Sequence, residues 1–142
     1  MEFEVNYLAV LVAAIVQFVV GMAWYSPMLF GKVWMKEMGF TEKDMKAAKS
    51  KGMMKEMVIA LVMGLVMAYV LSHVTWMAGE VLGSADWMRG LTTGFWMWLG
   101  FVGTVFVHGA LWEQKSWRLV AINASHWLVA LLAMGAVIGA WV

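Results

Sequence analysis

The chain has no cysteine, one proline and very little charge. Without cysteine there are no disulfides, thiolate metal sites, covalent haem attachment or thiol nucleophiles, and no prenyl or palmitoyl anchor. A single proline, Pro27, leaves the rest of the chain free to run in long uninterrupted elements. Charged residues make up only 13%, against about 25% in an ordinary soluble domain. Hydrophobic residues reach 63% and mean hydropathy is +0.78. These proportions exclude a water-soluble globule and a disordered chain alike.

Four long apolar runs account for most of the 142 residues: about 7–24, 57–76, 90–112 and 119–142. Each is long enough to cross a hydrocarbon core as a helix, which takes about 20 residues. The runs are continuous rather than alternating, which points to helices and not strands. The expected fold is therefore all-α: four transmembrane helices in one bundle, forming a single integral membrane domain over 1–142. The start, Met1-Glu2-Phe3-Glu4, lacks the basic region of a signal peptide, so the first span is expected to be retained.

Orientation follows from lysine and arginine. The 25–56 connection holds Lys32, Lys36, Lys43, Lys46, Lys49, Lys51 and Lys55, and the connection after span three holds Lys115 and Arg118. The opposite side has only Arg89, beside Glu2, Glu4, Glu80 and Asp86. By the positive-inside rule both connections face the cytoplasm and both termini face away from it. Trp76, Trp87 and Trp141 then mark the outer interface, and Trp24, Trp112 and Trp117 the inner one.

Within the 25–56 loop, Ser26-Pro27 reads as the start of a short amphipathic helix that stops before Gly39. Phe30, Trp34 and Met38 share one face, with Lys32 and Lys36 roughly opposite, so this helix is expected to lie at the interface. Lys32, Lys36 and Trp34 are the candidates for contact with lipid headgroups. Thr41-Glu42-Lys43-Asp44 reads as a capping box opening a second short helix, about 41–51.

The run Trp24-Tyr25-Ser26-Pro27-Met28-Leu29-Phe30-Gly31-Lys32-Val33-Trp34 resembles the small bacterial and fungal membrane proteins grouped as domain of unknown function 1761. A looser likeness runs through Lys115-Ser116-Trp117, Ile122-Asn123, Met134-Gly135 and Trp141. His126-Trp127, after Asn123, is more distinctive than that pattern. The resemblance implies a small multi-spanning protein, expected in a bacterial inner membrane, and carries no activity.

Polar groups inside the spans are costly and therefore informative. Gln17, Thr104, His108, Asn123 and His126 all fall toward the inner side, with Tyr25, Ser26 and Glu113 near its mouth. Two readings are open. The groups could be interhelical hydrogen bonds, each worth about 0.6–2 kcal/mol. Alternatively they line a ligand or proton-relay site open to the cytoplasm, with His108 lying near Asn123 or His126. No carboxylate, cysteine or H-x-x-x-H pairing accompanies His108 and His126, so no metal and no cofactor is expected. Met53, Met54, Met57, Met63 and Met67 suit ordinary packing better than copper ligation.

Trp96 and Trp98 lie too deep for the interfacial belt and point to nearly opposite sides, so at least one should pack on another helix or subunit. Gly90-x-x-x-Gly94, Gly135-x-x-x-Gly139 and Ala60-x-x-x-Gly64-x-x-x-Ala68 permit close helix approach. Membrane lipids are the expected partners, together with a second copy of the chain, a dimer being favoured; nucleic acid is not. The functional expectation is an oligomeric transporter- or channel-like protein, or else a structural or accessory protein that binds lipid or a partner. Without a Gly-rich phosphate loop or nucleophile–base motif, catalysis has the least support.

The charge asymmetry predicts that single cysteines placed at Lys46 and Ala85 react with a membrane-impermeant maleimide from opposite sides of the membrane. Labelling of both from one side would refute the topology.

Overall fold

A computed structural model describes residues 3–83 and 86–141. Ala85, the outer labelling position, and Val142, the expected end of span four, lie outside them. Among the described residues every regular element is helical. Four helices are long and apolar enough to cross a membrane. They are α1 (Tyr7–Trp24), α4 (Met54–Leu82), the third span Trp87–Trp112, and α7 (Trp117–Trp141). The third span comprises α5 (Trp87–Met97), a π-helical stretch (Trp98–Gly103) and α6 (Thr104–Trp112). Two short helices, α2 (Gly31–Met38) and α3 (Glu42–Lys51), fill the long connection.

Local chemistry sets the boundaries. Asn6 Oδ1 accepts the Ala9 N–H and caps α1. Thr41 and Asp44 form the reciprocal capping box of α3, and hydrogen bonds from the Thr41 backbone and hydroxyl hold the Asp44 carboxyl below its ordinary value. Gly39 stops α2 in the left-handed conformation, at φ 73°. Gly52, at φ 81°, separates α3 from α4. Asp86 caps α5, while the Arg89 guanidinium donates to the carbonyls of Leu82 and Gly83 at the end of α4. Cap and clamp together close the α4–α5 connection.

α2 begins four residues later than the sequence suggests. Ser26 and Pro27 belong to a compact turn, not to an N-terminal cap. The Ser26 carbonyl accepts the N–H groups of Leu29 and Gly31, and the Trp24 carbonyl accepts that of Phe30. The Ser26 hydroxyl donates back to the Ala23 carbonyl, which ties it into the end of α1. Gly31 is buried under this turn, where a Cβ would press on the Tyr25 and Ser26 carbonyls. A turn that wraps its own backbone so closely needs glycine at this position.

α7 is the centre of the bundle. Its span is 39% buried, against 22% to 28% for the others. It runs antiparallel to α1: Asn6 donates to the Trp141 carbonyl at one end, and the Trp24 indole donates to the Ile122 carbonyl at the other. The start of α1 and the end of α7 therefore share one end of the bundle and the lysine-bearing connections share the other. Between them, Val10, Ala13, Ala68, Leu71, Leu131, Met134 and Ile138 form the apolar core.

The closest helix pair is α5 against α7. A Cβ on Gly90 would overlap the Gly135 carbonyl, and one on Gly135 the Gly90 carbonyl. Gly94 sits likewise on the Leu131 carbonyl, and Gly139 on that of Asp86. The two glycine rows thus meet each other within one chain. In lipid, where burial of apolar side chains gives little net drive, such backbone proximity is what holds helices together.

The π-helical stretch interrupts what the sequence presents as a continuous third span. It opens on Trp98, whose indole N–H donates to the Ala124 carbonyl of α7, at 2.8 Å. Trp98 is the deep tryptophan that packs on another helix, whereas Trp96 is exposed.

Gly90→Ala should lower the thermal midpoint in detergent, by an amount corresponding to about 1–3 kcal/mol or more. Gly100→Ala, where a Cβ meets nothing within 4 Å, should leave it unchanged. Equal effects of the two would contradict the packing.

Candidate functional site

The turn after α1 aims its aromatic residues at α7. Phe30 lies on the Trp24 ring, with centroids 4.8 Å apart, and Trp34 meets Tyr25 edge-on at 5.6 Å. Trp34 is half-buried against this cluster, and Lys32 and Lys36 are exposed. α2 is also tied to the start of α7. Ser116 Oγ accepts the Leu119 N–H and donates to Glu37 Oε2, while Glu37 Oε1 lies 3.6 Å from Arg118. Trp34 and Glu37 of α2 therefore face the bundle, while Phe30, Val33 and Met38 remain exposed.

Beneath α2 lie three of the candidate residues. The Tyr25 hydroxyl donates to Asn123 Oδ1 at 2.8 Å. Burial pushes the Tyr25 phenol up to about 12, so at physiological pH it remains a protonated donor. His126 is one turn further along α7, only 4% exposed. Its ring lies among Tyr25 at 5.1 Å, Trp24 at 6.4 Å and Trp127 at 4.8 Å between centroids. Its floor is Gly21 of α1, where a Cβ would come within 3.3 Å of His126 Nε2.

Both His126 ring nitrogens are buried and have no hydrogen-bond partner within the described chain. A neutral imidazole has one N–H to donate and one lone pair to offer, and a charged one has two N–H groups. Leaving such a group unpaired away from water costs about 1–3 kcal/mol. Gln17, one turn from Gly21 on α1, is buried too, with its Oε1 unpaired and directed at Gly64 of α4. The same end of the α1 interface therefore carries two unsatisfied polar side chains.

The remaining candidates do not join this cluster. Ser26 is bonded into the turn. Thr104 and His108 are exposed on α6 and bond to the carbonyls of Gly100 and Thr104 on their own helix. Glu113 pairs with Lys115 at 2.7 Å in the connection before α7. His108 thus satisfies a ring nitrogen on its own helix instead of meeting Asn123 or His126. Among the described residues no group of three or more His, Cys, Asp or Glu side chains is placed to hold a metal.

Two clefts lie elsewhere. One, of about 450 Å³, opens at the termini end between Phe3, Glu4, Val5, Asn6, Trp76 and Trp141. The other, of about 380 Å³, is an apolar groove between α4 and the third span, centred on Met67, Val70 and Phe101.

Sequence reasoning passed over Trp24, Gly21, Ser116 and Glu37 as parts of this region. Trp24 was legible as an interfacial residue and as the head of the family-like run, and Ser116 as part of the looser likeness. A further hint to Ser116 was its place three residues before Leu119, the spacing of a helix cap.

These features define a class: a small integral membrane protein with four spans, helical throughout its described regular elements, with a buried histidine next to the first interhelical turn. The family model described as "Protein of unknown function (DUF1761)" matches residues 8–139, and the chain belongs to that family. Among curated proteins and solved structures nothing matches.

Tyr25→Phe should destabilise the protein by about 1–3 kcal/mol, because it leaves Asn123 Oδ1 without its donor. A double-mutant cycle with Asn123→Leu should show coupling of about 0.5–3 kcal/mol, read from denaturation midpoints. Strict additivity would show that the bond contributes nothing.

Proposed function

We propose that the protein binds and passes a small polar solute or protons through the Tyr25–Asn123–His126 cluster, as a transporter- or channel-like protein open toward the lysine-bearing side. What supports this reading above all is the buried imidazole with neither ring nitrogen paired. A group of that cost, set among aromatic rings at the end of the bundle, is suited to a polar partner that comes and goes. Tyr25 and Asn123 beside it provide a fixed donor–acceptor pair. Gln17 offers a further acceptor deeper along α1. The lysine bias supports an entrance on the cytoplasmic side.

The working unit on this proposal is a homo-oligomer, a dimer by prevalence. The exposed Met63, Val66 and Val70 of α4 offer an apolar face for a second copy or for lipid.

A second reading has its own observation. Exposed Lys32 and Lys36 stand on a helix that Trp34 and Glu37 hold to the bundle, an arrangement suited to holding anionic headgroups. The chain would then act as a structural or lipid-binding accessory protein.

Proteoliposomes loaded with a pH-sensitive dye separate the two. On imposing a pH gradient, the first reading expects proton flux above that of empty vesicles. His126→Gln should abolish it in a folded protein, and His108→Gln should leave it intact. Flux equal to empty vesicles, with or without a panel of small polar solutes, would reject the transport reading.

A further inference from the structure

The cleft at the termini end has a composition of its own. Phe3, Trp76 and Trp141 supply three aromatic rings to the wall of this space of about 450 Å³, and Glu4 supplies its one carboxylate among the described residues. This volume falls in the range of ligand sites, roughly 300–1,000 Å³. Phe3 is set against Trp76 with ring centroids 5.0 Å apart, and against His73 at 4.6 Å. The rim is fixed as well. Asn6 caps α1 through Oδ1 and donates through Nδ2 to the Trp141 carbonyl, which ties the two ends of the chain together.

Aromatic faces carry negative quadrupole potential and attract cations, indole most strongly. A carboxylate in the same wall adds a net charge of the same sign. The surrounding surface agrees. Glu4, Glu80 and Asp86 are exposed at this end. The one arginine among the described residues there, Arg89, has its guanidinium engaged with the Leu82 and Gly83 carbonyls. A neutral apolar ligand would leave the carboxylate facing it unpaired. An anion would be repelled by the rings and by Glu4 together.

We propose that this cleft is a binding site for an organic ammonium group, held by Phe3, Trp76 and Trp141 and neutralised by Glu4. The ammonium can belong to a free cation or to a zwitterionic lipid headgroup, since the cleft lies at the end of the spans where headgroups reside. The site is at the opposite end of the bundle from His126 and does not depend on that cluster's role.

The test uses the full chain in nanodiscs of phosphatidylglycerol, which carries no ammonium. Choline is titrated calorimetrically beside its neutral carbon isostere, 3,3-dimethyl-1-butanol. In parallel, protein in detergent is offered equal phosphatidylcholine and phosphatidylglycerol, and the retained lipid is read by native mass spectrometry. Saturable choline binding without isostere binding supports a free cation. Preferential retention of phosphatidylcholine without choline binding supports a headgroup. In either case Glu4→Gln should weaken binding roughly tenfold. Glu4 is exposed and precedes α1, so that variant should keep the wild-type thermal midpoint. Trp76→Leu should act in the same direction. Absence of both choline binding and phosphatidylcholine preference overturns the proposal, as does equal binding of the isostere or indifference to Glu4→Gln.

Discussion

Backbone contact between α5 and α7 is the constraint on which the other positions depend. Gly90, Gly94, Gly135 and Gly139 remove every side chain from the seam, so the carbonyls of one helix lie where the β-carbons of the other would be. This fixes the depth of α7 relative to the third span. Trp98, at the start of the π-helical stretch, donates to the Ala124 carbonyl. With α7 set, α1 is aligned on its other side by Asn6 at one end and Trp24 at the other. His126 faces α1 at Gly21, again a position with no side chain. Small residues thus decide where the aromatic and polar ones meet.

The segment Trp24–Trp34 is a device for covering that meeting point. Trp24 bonds to α7, Tyr25 bonds to Asn123, Gly31 permits the tight turn, and Phe30 and Trp34 pack back on Trp24 and Tyr25, Trp34 edge-on. α2 is thereby seated over the end of the bundle and latched by Glu37 to Ser116 and Arg118. Its lysines are left outward. The conspicuous residue types of this run each have a physical task, which is why the run stands out in the sequence.

Spans, helix type and the capping box at Thr41 were legible in the sequence because each rests on local signals: apolar length, continuity and a side chain three residues from its partner. Gly90/Gly94 and Gly135/Gly139 were legible as close-packing rows, but not as partners of each other, since either could have met a second copy. Asn123 and His126 were recognisable as costly polar groups inside the inner half of the bundle, with Tyr25 near its mouth. Which of them converge depends on helix rotation about its axis, and apolar runs this uniform carry almost no rotational signal. His108 shows the consequence: by depth it belongs with His126, but by rotation it faces outward and bonds to the Thr104 carbonyl. The start of α2 shows a different limit. Ser-Pro is common to caps and to turns, and the backbone bonds of the Trp24–Gly31 turn that decide between them are not encoded in spacing.

The central claim is that a partner from outside the chain completes His126. Proton-detected solid-state NMR of the histidine-labelled protein in lipid bilayers tests it most directly, with His126 assigned by its absence in His126→Gln. The account predicts that the His126 ring N–H exchanges with water and that both ring nitrogens have shifts of hydrogen-bonded imidazole. A ring N–H without a water cross-peak, beside a second nitrogen with the shift of a free lone pair, would contradict it.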